Sequence, residues 1–435
     1  MKGRIAIIGG GFTGLTAAYY LLKHGYSVDL FEKANDLGGL ASSFIIHGMP
    51  IEVSYHHIFK TDIFLINLAK ELNLENKLKW FKSSTAIYYN NHLYSFNTTK
   101  DLLRFTPLPF IDRLRAGLVI LFLKQLKNWK ILTKKKAIDW LYKWAGKNVT
   151  EVIWKPLLVG KFGEYYQTIS MAWLWSRVYN RSHSRQFRVN ELLGYFEGGF
   201  KVLAISLEQN IRNLNGNIFV NTQVNKISTT STNLVKIYVG DRVHIYDKVI
   251  VTTPSDVFIT LAYDNNANKS VYLSKLQKIK YLGAIIILFS STQNISNYYW
   301  HNINDISLPF LVFINHTQLV PREWYSGKYV YYLGKYVPHD HEYFTMRDDD
   351  LALLWFRSLK KIFPNFDQSL IQTIKVFKLK YAQHIVDCSY EEIIPEYNTD
   401  IPNVYLANFT QIFPEDRGVN FAIREGINIA KIINY

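Results

Sequence analysis

Apolar positions in the first forty residues fall into two short runs with a helical stretch between them. Ile5 to Ile8 reads as a buried strand, and Leu15 to His24 reads as a helix that stops at Gly25. Residues 26–32, YSVDLFE, read as a second strand. This order predicts a βαβ unit with parallel strands. Helical periodicity returns at 110–136 and 154–178, and residues 403–433 read as strand, loop and helix. The pattern is that of an α/β protein. With 435 residues, 48% of them hydrophobic, the chain can build two or three domains.

The turn between the first strand and helix carries Gly9, Gly11 and Gly14 in the spacing G-x-G-x-x-G, and Glu32 ends the next strand eighteen positions after Gly14. A lone glycine turn says little, but in this context it is the dinucleotide-binding fingerprint. Gly9 makes the tight turn, Gly11 admits the pyrophosphate, and Gly14 lets the helix approach the strand. The helix N-terminus receives the phosphates and Glu32 receives the ribose hydroxyls. Phe12, Thr13 and Lys33 flank these positions and join the candidate cofactor contacts.

Residues 32–44, EKANDLGGLASSF, resemble the second glycine pair of flavoproteins in the amine oxidase, protoporphyrinogen oxidase and phytoene desaturase superfamily. The resemblance implies FAD as cofactor, with Gly38, Gly39, Leu40 and Ala41 beside it beyond the pyrophosphate. Many members carry an arginine after the pair, where this chain has Leu40. GYFEGGFKVLAISLEQNI (194–211) resembles that superfamily's later glycine pair and long helix. Residues 216–227 and 247–256 resemble the strands near the adenine, with Val224 contacting it through its backbone. The C-terminal segment resembles the closing flavin motif. There Asn408 would lie near the ribityl or pyrophosphate region, and the amides of Val419 and Asn420 would face the flavin. Residues 154–178 are similar to bacterial protoporphyrinogen-oxidase-like proteins. The implied fold is a Rossmann-type FAD domain assembled from 1–60, 195–265 and 395–435. An inserted α+β substrate domain would take 61–194, mainly helical, and 266–394.

His56 and His57 stand in SYHHIF. Adjacent strand side chains point to opposite faces, so the pair does not suit one metal ion, and zinc ligand spacings differ. HDHE at 339–342 reads as a solvated loop ahead of a helix N-terminus, and no metal is expected. By the resemblance the pair reaches the flavin ring, which makes His57 and His56 the candidate catalytic residues. HHIF also resembles a signature of the flavin-dependent UDP-galactopyranose mutases. The alternative is that both histidines bond backbone carbonyls.

Charge changes the picture locally. The net charge is +15, and Lys100 to Lys161 hold fourteen Lys and Arg against four Asp and Glu. Over 110–136, Arg113, Lys124, Lys127, Lys134 and Lys135 project to one side of a helix. Leu114, Leu118, Leu121, Phe122, Leu126 and Trp129 project to the other, and Ile120 and Leu123 break the pattern. Such a helix suits an anionic membrane surface or a core-facing position. Nucleic acid is not expected, because no recognition motif accompanies the charge. In SRVYNRSHSRQFR, Arg177, Arg181, Arg185 and Arg188 could hold a substrate anion or the protein's own acids; Arg177 and Arg181 are taken as the anion candidates.

One cysteine, Cys388, excludes an internal disulfide and suits a reducing compartment. No eighteen-residue apolar run is present, so a cytoplasmic protein, peripheral at most on the membrane's cytoplasmic face, is expected. The leading expectation is an FAD oxidoreductase acting on a small, largely apolar and anionic substrate. A redox-neutral flavoenzyme such as a sugar-nucleotide mutase and a flavin-bearing binding protein are the alternatives.

Overall fold

The computed structural model describes residues 2–184, 191–263 and 270–434. β1 (Arg4–Ile8), α1 (Phe12–Lys23) and β2 (Ser27–Phe31) form the βαβ unit, with Ile5 opposite Val28 and Ile7 opposite Leu30. Three short strands from far along the chain extend this sheet. Its order is Val404–Leu406, Lys248–Val251, β1, β2, Asn217–Phe219, and every pairing is parallel. A parallel sheet must be covered on both faces, which explains the unbroken apolar run in β1. Ile5 and Ile7 pack with α1 and the helices Lys201–Asn213 and Val419–Asn434. Ala6 and Ile8 pack with the antiparallel sheet Lys226–Thr229, Val235–Val239 and Arg242–Tyr246.

A second large sheet has seven strands, in the order Ile371–His384, Tyr281–Ser291, Tyr329–Val337, Val312–Asn315, Trp300–Ile303, Thr85–Tyr89, His92–Ser95. Its pairings are antiparallel except that Trp300–Ile303 runs parallel to Thr85–Tyr89. All eleven residues of Tyr281–Ser291 are buried, as a central strand covered on both faces requires. Beside this sheet lies a helical layer from Thr99–Leu103 to Met171–Ser184, packed around Phe105, Leu123, Phe162 and Trp173. Helices at Lys155–Phe162 and Met171–Ser184 match the periodicity read over 154–178.

The single amphipathic helix expected over 110–136 is corrected. A helix spans Phe110–Gln125, the chain turns extended at Leu126, and a short 3-10 turn covers Trp129–Leu132. Most of the expected apolar face of this helix also turns outward. Ala116, Val119 and Leu123 are buried and Ile120, Leu126 and Trp129 pack against that core. Leu114, Leu118, Leu121 and Phe122 point outward, with Leu118 66% exposed. Apolar residues lie all around this helix, so one projection could not tell which side meets the core. Of the two residues that broke the pattern, Leu123 is buried and Ile120 packs against the core.

The helix expected after residue 342 spans Asp348–Ile362 and opens on Asp348, Asp349 and Asp350. The His341 imidazole accepts from the Tyr343 amide instead of meeting a ligand. Among the described residues no helix is long and apolar enough to cross a membrane, and no three His, Cys, Asp or Glu side chains converge on a point.

Candidate functional site

Because the strands of the first sheet are parallel, their carboxyl ends share one edge. Gly9, Glu32, Thr252 and Ala407 follow them there, and ligands of open α/β sheets bind along this edge. The first turn of α1 is built on close approach. A Cβ on Gly14 would stand 2.0 Å from the Gly9 carbonyl oxygen, so only glycine lets the helix reach the strand. Gly11 differs. Its backbone has an ordinary extended conformation, and a Cβ there would meet only the Gly39 Cα, at 3.8 Å. The space beside Gly11 therefore lies open at a helix end with neither a side-chain cap nor an acid in its first turn. Uncapped amides at such an end suit a phosphate.

The second glycine pair completes the cradle. Gly38 donates its amide to the Gly10 carbonyl at 2.9 Å, and a short 3-10 turn covers Gly39–Ala41. Gly38 and Gly39 both have positive φ, which a side chain would resist. Leu40 is half-buried and accepts the Ser54 hydroxyl through its carbonyl. Glu32 accepts the Gly10 and Ala34 amides at 2.6 and 2.8 Å, which fixes its carboxylate beside the turn with lone pairs to spare. Phe12 and Thr13 are buried in the first turn of α1, and Lys33 is exposed after β2. Val224 is buried in a loop that hydrogen-bonds the Glu32 and Ala34 carbonyls through Thr222 and Asn221.

Asn408 and Asn420, both buried, have duties within the protein. The Asn408 amide bonds the Thr253 carbonyl and caps the turn Phe409–Gln411 through Thr410. The Asn420 side chain accepts the Phe64 and Leu65 amides, capping the helix Ile63–Glu71. The backbone amides of Val419 and Asn420 find no acceptor among the described residues, and the helix they open has no acid in its first turn. That helix lies against α1 because Gly426 meets the Thr13 carbonyl and Thr16; a Cβ would approach both within 2.6 Å. Two uncapped helix ends thus stand near one another.

The histidine pair reaches the site on the chain that leaves the hairpin Ser43–Ile46 and Met49–Glu52. Glu52 anchors it. The buried Glu52 carboxylate accepts the Phe200 amide at 2.7 Å and the Tyr195 hydroxyl at 2.6 Å, tying the hairpin to the glycine pair Gly198–Gly199. Burial, against these hydrogen bonds, pushes its carboxyl up to about 7. His56 gives Nδ1–H to the Ser54 carbonyl at 2.7 Å, so its Nε2 carries the lone pair. His57 bonds the Tyr299 hydroxyl through Nδ1 at 3.0 Å. Phe59, Trp300 and Tyr299 surround it at ring distances of 4.9, 5.7 and 6.0 Å. Both histidines keep some open surface but are enclosed by protein. Burial depresses His56 to about 4 and His57 to about 3, so both are neutral near pH 7.

The arginine run divides. Arg181 places its fork on Glu191, at 3.1 and 3.0 Å, which is the reading in which the run binds the protein's own acids. Arg177 holds Asp416 at 2.6 Å. Arg185 and Arg188 lie outside the described residues. Sequence reasoning passed over Lys161, Tyr336 and Arg417, which gather around Asp416 and Tyr55. Arg417, inside the C-terminal motif, and Lys161, inside 154–178, stood in stretches already singled out, whereas Tyr336 did not.

The open parallel sheet, the glycine cradle and the uncapped helix ends define a dinucleotide-binding enzyme fold. The sequence profile described as flavin containing amine oxidoreductase matches residues 12–434, and the chain belongs to that family. It is an FAD-dependent oxidoreductase of that family. Coproporphyrinogen III oxidase of Staphylococcus aureus (strain NCTC 8325 / PS 47) is 25% identical over 60% of this chain, which spans 62% of that relative's length. A 15-cis-phytoene desaturase of an Oncidium hybrid cultivar is 23% identical over 93% of this chain and 73% of its own. The crystal structure of reduced UDP-galactopyranose mutase superposes with a TM-score of 0.76 at 14% identity, covering 99% of this chain and 95% of that one. This last likeness is one of fold.

The two glycines of the turn should respond differently. Gly14→Val must destabilise the protein by about 3 kcal/mol, through the clash with Gly9. Gly11→Val should leave the apoprotein within about 1 kcal/mol of wild type and abolish flavin retention. Denaturant unfolding and the absorbance of the purified protein check both.

Glu52 gives a pH test. Its carboxyl is protonated in the folded state where the unfolded chain is ionised, so its contribution is full below the ordinary glutamate value and lost as pH rises to about 7. Glu52→Gln stays neutral and keeps the shape. The melting temperature of the variant minus that of wild type should therefore climb between pH 4.5 and 7 and level off above. A flat difference would show that Glu52 is ionised in the fold.

Proposed function

We propose that this FAD enzyme oxidises or desaturates a small, largely apolar substrate bearing an acidic group. The carrying observation is the aromatic wall of Phe59, Tyr299 and Trp300 around a neutral His57 whose Nε2 has no partner among the described residues. The names of the two relatives, one for coproporphyrinogen III and one for 15-cis-phytoene, support a bulky apolar substrate. When bound, FAD supplies the hydride acceptor at its N5.

The chain's own residues bind, orient and exclude water. In this reading Gly9, Gly11, Phe12, Thr13, Gly14, Glu32 and Lys33 hold the adenosine diphosphate end, with Val224 at the adenine. Gly38, Gly39, Leu40 and Ala41 line the path to the ring, and Asn408 braces the loop beside it. The amides of Val419 and Asn420 offer a helix end that favours negative charge. The FAD domain comprises 1–60, 195–265 and 395–435, and the substrate domain the two insertions. His57 positions substrate through a neutral hydrogen bond, and His56 steadies the turn behind it.

Anaerobic mixing with coproporphyrinogen III or 15-cis-phytoene tests the reading. Coproporphyrinogen III, which carries carboxylates, should bleach the flavin absorbance of wild type; bleaching by phytoene alone would keep the oxidation and remove the acidic group from the reading. His57→Ala should slow bleaching by about tenfold or more while FAD content holds. Turnover of UDP-galactopyranose only after prior flavin reduction, with no net electron transfer, would favour the mutase alternative. Flavin that responds to none of these compounds would favour a binding protein.

An anionic membrane surface belongs to the same reading. Phe110, Ile111, Leu114, Leu118, Leu121 and Phe122 are exposed on one helix, with Trp144 beside them. Exposed Lys124 lies in the last turn of this helix, and exposed Lys127, Lys130 and Lys135 follow it along the chain. Apolar side chains entering the acyl boundary and lysines at the headgroups suit an interfacial helix, at roughly 1 kcal/mol per cation near an anionic leaflet. The protein should float with anionic liposomes at low salt and less at high salt. Leu118→Ser with Leu121→Ser should abolish flotation with the flavin spectrum unchanged. A protein that stays in the soluble fraction at low salt would overturn the membrane reading.

A further inference from the structure

Three separate elements bring cations to one place, and a fourth adds a phenol. Lys161 ends the helix Lys155–Phe162, Arg177 lies on the helix Met171–Ser184, and Tyr336 on the strand Tyr329–Val337. Asp416 and Arg417 sit just before the C-terminal helix. The Asp416 carboxylate serves both Lys161, at 3.0 Å, and Arg177, at 2.6 Å. Those two cations and their attraction hold the Asp416 carboxyl well below its usual range despite burial. Glu415, the next acid, is turned to Arg424 at 3.0 Å.

Arg417 makes no direct ion pair with a carboxylate among the described residues, although its charge also acts on Asp416. Its one hydrogen bond runs to the Tyr336 hydroxyl at 2.9 Å, and its Nε is buried with no partner. Lys161 also donates to the Tyr336 hydroxyl, at 3.4 Å, so two cations point at one phenol oxygen. Their charge draws Tyr336 below the usual phenol range although burial opposes it. Nearby Tyr55, His56 and His384 add no negative charge, since burial holds the phenol protonated and the imidazoles neutral.

A half-buried cation with an unused donor is costly unless something compensates it. The donors that remain have the form of a receptor for oxygens, with a guanidinium fork, an ammonium and a phenol converging. Tyr55 stands edge-on to Trp300 at 5.2 Å, which joins this cluster to the aromatic wall around His57.

We propose that Arg417, Lys161 and Tyr336 form the subsite that takes the acidic group of the substrate, a carboxylate or a phosphate. Asp416 and Arg177 are positioning residues that hold Lys161 in place. The inference rests on the reading of this cleft as the substrate cleft, and it moves the anion contact from Arg181 to Arg417.

The test is calorimetric titration of the FAD-loaded full chain with succinate and, separately, with inorganic phosphate. Calorimetry reads the anion without any redox step, so failure here is distinct from failure of the oxidation reading. Wild type should bind one of the two anions, and which one tells carboxylate from phosphate. Arg417→Met should weaken that binding at least tenfold and Tyr336→Phe about threefold, while Arg242→Gln, an exposed cation on another sheet, leaves it unchanged. Tyr336→Phe removes one hydroxyl, so it keeps the test informative if Arg417→Met folds poorly. Binding of neither anion by wild type, or wild-type affinity in Tyr336→Phe and any folded Arg417→Met, would overturn the subsite.

Discussion

The close packing of α1 against β1 on one side and the C-terminal helix on the other is the constraint on which the rest depends. Both contacts are backbone-close, at Gly14 against Gly9 and at Gly426 against Thr13. Without side chains in these seams, two helix ends come within one cleft, their first-turn amides free of caps. The amide ends then act together, and the charge they favour is negative. The glycine cradle of residues 38–41 closes one side of the same cleft, and the Glu52-anchored hairpin delivers the histidines to it.

The cleft is electrostatically lopsided. Its histidines are neutral because they are enclosed, and the Asp416 carboxylate is shared by two cations. Arg417 and the phenol of Tyr336 remain facing each other. A fold that keeps such an excess beside aromatic rings is suited to a ligand with an apolar body and an acidic end. The same geometry separates Arg177 from Arg181. Arg181 faces Glu191, four residues along the helix from Arg177, and the two guanidinium groups serve different acids.

The helix Phe110–Gln125 makes the opposite point about apolar residues. Its inner face is made of small and medium side chains, Ala116 and Val119 with Leu123, which fit beneath the helix Met171–Ser184. Its larger residues are outside. Size-matching to the neighbouring helix, rather than hydrophobicity, decided which face was buried.

What the sequence determined by itself was whatever depends on neighbours along the chain. The βαβ unit, its glycine spacing, the uncapped start of α1 and the flavoprotein likeness at both ends were legible because each is a local pattern with a local physical cause. The helices of 154–178 belong with them. The tertiary structure alone decided which residues meet across long separations. Lys161, Tyr336 and Arg417 lie on elements that no periodicity connects, and Tyr336 sits in a strand like any other tyrosine of the chain. The same holds for the protonation of Glu52, His56 and His57, since burial and distant partners set those charges. The inward face of Phe110–Gln125 was undecidable for the same reason: a helix apolar all round carries no mark of its partner, and only packing chooses the side.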